Sequence, residues 1–350
     1  MMRHLGRTLA LSALPVLGLL LLAALIQTFA EPFQVRLAYA FFMNLVLALG
    51  LQVFMGNSGV VSFGHLGFMG VASYAVAILT IPVALKATMI PDAPFGLAGL
   101  ELSPLVAAAI AFALVLVLAF LSGFLVSRLS GAAAEIFTLA LLVIAYVVFT
   151  AWIDLTRGQR SLYGIPVTSG LGFAAAVACV SVVVARLFRD SDLGLQLRAS
   201  SEDTLAARAM GVHIGRLRHI AWVLSALIVG AAGVLHATYL GAIGPNSFYF
   251  SQTFLVMAMI ILGGARSVSG TILGVLAISV GNEIARTLES GPVVLGLDLP
   301  EMFGLTGFFL GAVIVATMIW RRDGILGDTE FETLLRRRKA PAATAKGGEA

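Results

Sequence analysis

The feature that most constrains this chain is the length of its apolar runs. They lie near residues 8–30, 37–55, 59–80, 104–127, 133–152, 167–187, 219–240, 252–265, 269–284 and 303–320. About 20 apolar residues cross a bilayer as one helix. The composition agrees, with 59% of residues hydrophobic, only 11% charged and a mean hydropathy of +1.00. A soluble domain carries about 25% charged residues. The runs therefore predict an all-α, polytopic integral membrane protein of about ten (8–10) transmembrane helices, forming one transmembrane domain over residues 1–328. The eighth and ninth runs are short and meet at "GGARSVSG" (263–270). They are read either as two full spans or as half-helices.

Positive charge sets the orientation. With the N-terminus inside and ten spans, Arg36, Lys86, Arg157, Arg160 and Arg286 fall outside, and all the other Lys and Arg residues among the 22 fall inside. Both termini are therefore expected in the cytoplasm. The high pI follows from cationic residues anchoring cytoplasmic ends beside anionic lipid. The basic start "MMRHLGR" suggests a signal peptide, but the run over 9–30 exceeds a signal core of about 7–15 residues and no small-x-small site closes it. It is read as the first span. Cys179 is the only cysteine, so no internal disulfide is possible, and it is read as a small packing residue. Two inner segments stand out, a loop over 189–218 and a basic tail over 329–350 that is predicted to be disordered. The outer loops leave no room for a sizeable extracytoplasmic domain.

Several chemistries are missing. None of the three lysines, Lys86, Lys339 and Lys346, follows a glycine, so no P-loop is present. There is no H-E-x-x-H and no metal-spaced Cys/His cluster. Every Asp and Glu is placed in a loop or near a span end, Glu135 and Glu283 being the deepest. Ion-coupled carriers usually carry intramembrane ionisable groups, so that class is disfavoured. No catalytic residue, metal ligand or cofactor site is assigned.

Three stretches carry polar or backbone chemistry. In "GNSGVVSFGHLGFMGVASY" (56–74), a continuous helix would align Ser58, Ser62 and His65 at i, i+4 and i+7. Gly67 and Gly70 would open a second face to close helix approach. A broken helix that turns its backbone toward a polar solute would also fit, and plain packing is the alternative to both. Asn44 and Gln52, eight residues apart on the preceding span, share roughly one face and read more readily as structural glue than as solute ligands. In the inner loop, Ser200 and Asp203 resemble a capping box. A short helix follows, with Leu205, Ala209 and Val212 on its apolar side and Gly211 ending it. Such a helix lies on the membrane or docks into a partner's groove.

The stretch "AARAMG" (206–211) resembles the Ala-Ala-x-x-x-Gly core of the cytoplasmic loop of ABC importer permeases. Around it, "LGLQLRASSEDTLAARAMGV", "WVLSALIVGAAGVLHA" and "GPNSFYFSQTFLVMAMIILGGARSVSGTILGV" resemble the Liv-type branched-chain amino-acid permease family. The stretch 56–74 is similar to that family's glycine-rich motif, and "WRRDGILG" (320–327) to its terminal Arg-Pro-x-Gly-Leu-x-Gly. Two departures stand out: "LTRGQRSLYGIP" replaces the family's Leu-Thr-Gly-Gly-x-x-Gly, and Ser200, Ser201 and Thr204 replace a charged stretch. The resemblance implies the permease subunit of an ABC importer in the bacterial cytoplasmic (inner) membrane, working by alternating access. Its partners would be a second permease subunit in a heterodimer, two cytosolic ATP-binding subunits, a solute-binding protein outside, an amino-acid substrate and membrane lipid. Glu202, Ala206, Ala207, Arg208 and Gly211 are expected to couple to the ATPase. Asn44, Ser58, Ser62 and His65 are expected along the translocation pathway. Urea, short amides or aromatic acids on the same machine, or a stand-alone ion-coupled carrier or channel, are the rival readings.

Overall fold

The computed structural model describes residues 2–331, apart from 292, 295–296, 299–301 and 322. The chain is helical almost throughout. It runs α1 (Met2–Phe29), α2 (Pro32–Ser58), α3 (His65–Thr80), α4 (Val83–Met89), α5 (Pro104–Arg128), α6 (Ala132–Ala151) and α7 (Ile153–Thr156). It continues through α8 (Leu171–Asp190), α9 (Asp192–Glu202), α10 (Thr204–Ala209), α11 (Ile214–Leu240), α12 (Phe250–Gly263), α13 (Val268–Glu289) and α14 (Leu305–Trp320). Two-residue strands Leu162–Tyr163 and Ala242–Ile243 pair antiparallel and tie the loop before α8 to the end of α11.

Among the described residues, eight helices are long and apolar enough to cross a membrane, and the bent pair α3–α4 makes up to nine. α3 and α4 meet at 116°, so α4 folds back instead of extending the span. α14 is a shorter apolar helix. α12 is short, but with the turn that begins at Pro245 it reaches spanning length. The 252–284 region is thus a hairpin of two helices, each long and apolar enough to cross. α13 runs to Glu289, five residues past the expected boundary. Glu283 therefore lies about 9 Å inside the helix end, at 1.5 Å per residue, where it pairs with Arg286 at 3.9 Å.

The core forms around α2 and α11. Ser225 Oγ donates to Gly50 O at 2.5 Å, and a methyl group at Gly50 would stand 2.6 Å from Val229 Cγ2. Ser73 Oγ donates to Gly233 O at 2.7 Å, joining α3 to α11. Tyr39 Oη donates to Leu235 O at 2.9 Å. α5 presents Ala107, Ala111, Val115, Ala119 and Gly123 inward at four-residue spacing, all buried, while Leu105, Leu121 and Phe124 on its other side are exposed. Small residues let the helix approach closely, and the exposed leucines suit lipid. Cys179 is buried, as a packing residue should be.

One end of the bundle gathers residues 56–65, 190–213, 263–268 and 321–331. By the bias of Lys and Arg, this is the end expected in the cytoplasm. The expected disordered tail began at 329, yet Thr329 and Glu330 are fixed against the bundle, with Glu330 7% exposed. Arg186 and Arg189, more than 140 positions earlier, hold its carboxylate, a partnership invisible to local composition. Residues 332–350, the rest of that tail, lie outside the described residues.

Candidate functional site

The continuous helix expected across 59–80 is broken. α2 ends at Ser58, where Gly59 adopts φ 68° and its amide closes back onto Met55 O. This is a left-handed C-terminal stop that glycine adopts at no steric cost. α3 begins only at His65. Ser58, Ser62 and His65 therefore do not share a helix face. Ser58 closes one helix and its Oγ accepts from Val60 N at 3.2 Å. Ser62 sits in the break and His65 opens the next helix, the two joined Oγ to Nδ1 at 2.7 Å. Both are fully buried.

The His65 ring sits among aromatics from three helices. It stands 4.4 Å from Trp222 on α11, 5.6 Å from Phe54 on α2 and 6.0 Å from Phe68 on α3. Such edge-on rings pack favourably. The backbone is equally confined. A methyl group at Gly56 would collide with Ala265 O, and one at Gly64 would come within 2.7 Å of Thr138 O. Gly67 and Gly70 do open a second face: a methyl group at Gly67 would stand 3.1 Å from Ala145 Cβ, and one at Gly70 would meet the Phe149 ring. The break is a close-packed joint between α2, α3, α6, α11 and the α12–α13 turn.

Asn44 lies farther toward the outer end. Its Oδ1 accepts from Gln252 Nε2 at 2.8 Å, and both residues are partly exposed. Gln52 does not join it. It is fully buried beside Gly56 with neither polar atom bonded.

The inner loop folds as two helices. α9 starts at Ser191, whose Oγ accepts from Gly194 N at 3.2 Å. The expected Ser200–Asp203 capping box is absent: Ser200 Oγ donates to Leu197 O at 2.7 Å inside α9. Asp203 is itself the N-cap of α10, its Oδ1 accepting from Leu205 N at 2.9 Å and Ala206 N at 3.0 Å. The short aspartate side chain reaches amides two and three residues on, a geometry that suits a helix start. Gly211 then takes φ 80° and ends the turn. Glu202, Ala206, Arg208 and Gly211 are exposed, and Ala207 partly so. The apolar side is also open, with Leu205 77% and Met210 84% exposed.

This loop touches the joint. A methyl group at Gly59 would stand 3.1 Å from Ser201 Cβ. Glu202 Oε1 pairs with Arg266 Nη1 at 2.5 Å, in the turn between α12 and α13. Sequence reading picked out the loop and the glycine-rich stretch separately. Nothing local signalled their contact, nor the pairing of Glu202 with Arg266.

The arrangement is that of a membrane bundle with a short exposed helix and a buried joint beneath it. No group of His, Cys, Asp and Glu suited to a metal occurs among the described residues. Among known proteins, the high-affinity branched-chain amino acid transport system permease protein LivM of Escherichia coli is 28% identical, over 95% of this chain and 79% of its own length. LivM of Salmonella typhimurium matches to the same extent. The permease protein LivH of Salmonella typhimurium is 24% identical over 52% of this chain and 60% of its own length. No solved structure matches. The model of the branched-chain amino acid transport system permease component family matches residues 34–318. The chain is a multi-pass membrane permease subunit and belongs to that family.

Proposed function

We propose that the protein imports branched-chain or related amino acids across the bacterial cytoplasmic membrane by alternating access. It does so as one of two unlike permease subunits, with two cytosolic ATP-binding subunits and an extracytoplasmic solute-binding protein. The observation that carries this reading is the contact of Ser201 and Glu202 with Gly59 and Arg266. The exposed face of α10, centred on Ala206 and Ala207, seats in the ATPase. Leu205 and Met210 supply apolar contact, and Arg208 pairs with acidic residues there. Movement of α10 reaches the α2–α3 joint through the short path from Asp203 back to Ser201.

Within that reading, Ser58, Ser62 and His65 act at the inner end of the pathway by holding the joint. Solute contact is left to partly exposed groups such as Asn44, whose bridge to Gln252 lies between α2 and α12. Polar groups exposed at membrane depth are costly against lipid and suit a water-lined route. Uptake into proteoliposomes tests the proposal. It should require both ATP-binding subunits and the binding protein, and the solute carried should be the binding protein's own ligand. Uptake by this chain alone would replace the reading with a stand-alone carrier. A binding protein loaded with urea, an amide or an aromatic acid would change the substrate only.

A further inference from the structure

The segment after α14 turns back onto the bundle and is stitched to the α12–α13 turn. Ile325 N donates to Leu262 O at 2.8 Å and Leu326 N to Gly263 O at 3.3 Å. Gly324, at φ 77°, lies against Gly264, at φ 107°, so closely that a methyl group on Gly324 would reach 2.5 Å from the Gly264 amide nitrogen. The stretches "GGARSVSG" and "WRRDGILG" are thus two halves of one unit. Ser267 Oγ then donates to Thr329 O at 2.9 Å, which sets up the next residue.

Glu330 is the centre of that unit. Its Oε1 accepts from Val268 N and its Oε2 from Ser269 N, both at 2.9 Å. A carboxylate at this place satisfies the first amides of α13 and meets the positive end of that helix. Arg186 Nη2 donates to Oε2 at 3.0 Å, and Arg189 Nε stands 3.3 Å from Oε1. Both arginines belong to the last turns of α8. One buried carboxylate therefore ties the end of α8 to the start of α13. The network continues outward. Arg189 donates to Arg266 O at 3.0 Å and to Asp328 O at 3.1 Å, and its own carbonyl accepts from Arg198 on α9 at 2.9 Å. Arg266 in turn pairs with Glu202.

A buried ion pair adds little net stability compared with apolar packing, because desolvation offsets attraction. Removing one partner is costly, because it leaves the opposite charge buried without its counter-charge, so the pair favours one geometry. We propose that Glu330 is a positioning residue of the transport cycle. It locks the α12–α13 turn to the end of α8, so that displacement of the 202–211 segment, passed through Glu202 and Arg266, moves the α12–α13 hairpin as one body. This rests on the coupling role proposed above for that segment.

The test is made in proteoliposomes with the full assembly: both permeases, both ATP-binding subunits and the binding protein. Solute carried per ATP hydrolysed is compared for wild type, Glu330→Gln, Glu330→Asp and Gly211→Trp. Glu330→Gln keeps the shape but loses the charge that holds both arginines. It should assemble and hydrolyse ATP, yet carry about tenfold less solute per ATP, within the range of coupling between two sites. Glu330→Asp, which restores the charge on a shorter arm, should recover part of that loss. An unchanged ratio in Glu330→Gln would overturn the proposal. So would a Glu330→Gln subunit that fails to assemble while its few assembled copies transport normally, since that would make the residue purely structural. Gly211→Trp separates the two readings. If it transports normally, the coupling role itself has failed. If it is inactive while Glu330→Gln is normal, only the role of Glu330 has failed.

Discussion

At Gly56 an added methyl group would meet the carbonyl of Ala265, and at Gly64 that of Thr138. At Gly211 it would meet nothing within 4 Å, although φ there is 80°. Both regions are built from glycine, serine and alanine. In the α2–α3 joint the small residues let backbone meet backbone, and Ser62 and His65 are folded inward onto each other. In the 203–211 segment the same residue types leave an open surface with two exposed apolar side chains. A small residue therefore has two meanings here, and burial distinguishes them. In the joint it lets neighbours in this chain approach. On and just after α10 it leaves open space, which the proposed docking of an ATP-binding subunit would fill.

Substitutions that add bulk should separate the two regions most sharply. Gly56→Leu should abolish recovery of monodisperse protein in detergent, because overpacking costs about 1–3 kcal/mol or more and the obstacle here is backbone. Normal recovery of this variant would show that the joint is loose. Gly211→Trp should leave insertion and detergent behaviour unchanged while removing uptake by the assembled transporter. Full uptake in that variant would make the two regions alike in having no partner. His65→Ala should lower the thermal stability of the purified subunit, since large-to-small changes in a packed core cost about 2–5 kcal/mol. It should leave the solute KM of surviving transporters unchanged. A raised KM would move His65 from the joint into the solute path.

Smaller effects are expected at the edges of these regions. Asp203→Ala removes the cap of α10, worth about 1 kcal/mol. It should weaken co-purification of the ATP-binding subunits several-fold without altering membrane insertion. Acid supplies the mildest test. Burial alone would raise the Glu330 carboxyl, but Arg189, Arg186 and the Ser269 donors outweigh it and hold it below the ordinary carboxylate value of 4.5. A group with a lowered folded value adds stability above the unfolded pKa and loses it as pH falls through the folded one. The melting-temperature gap between wild type and Glu330→Gln should thus be full above pH 4.5 and shrink as the pH drops below it. A gap independent of pH would mean that the charge of Glu330 contributes nothing.

Much of this fold can be read from local sequence, for a clear reason. The runs expected at 104–127 and 133–152 became α5 (Pro104–Arg128) and α6 (Ala132–Ala151), because hydropathy summed over 20 residues overwhelms any single contact. The joint was harder. Val60 and Val61 continue the apolar run across it, so hydropathy cannot detect the left-handed stop at Gly59. At Asp203 the structure differs through side-chain reach, since serine and aspartate three residues apart can cap in either register. Glu330 was beyond local reading altogether. A glutamate in a polar, basic tail resembles solvated sequence until Arg186 and Arg189 are brought to it.

The sequence by itself determined that this chain crosses a membrane many times, and it set the expectations for which ends face the cytoplasm and which loop meets a partner. These follow from transfer free energies and local backbone preferences, which act residue by residue. Only the tertiary structure decided that Ser62 and His65 bond to each other in a break, that Ser201 lies against Gly59, and that Glu330 fastens α8 to α13. Each of these joins groups through close approach or through a charge whose partner lies far along the chain. The energy of such a contact exists only once both sides have been folded into place.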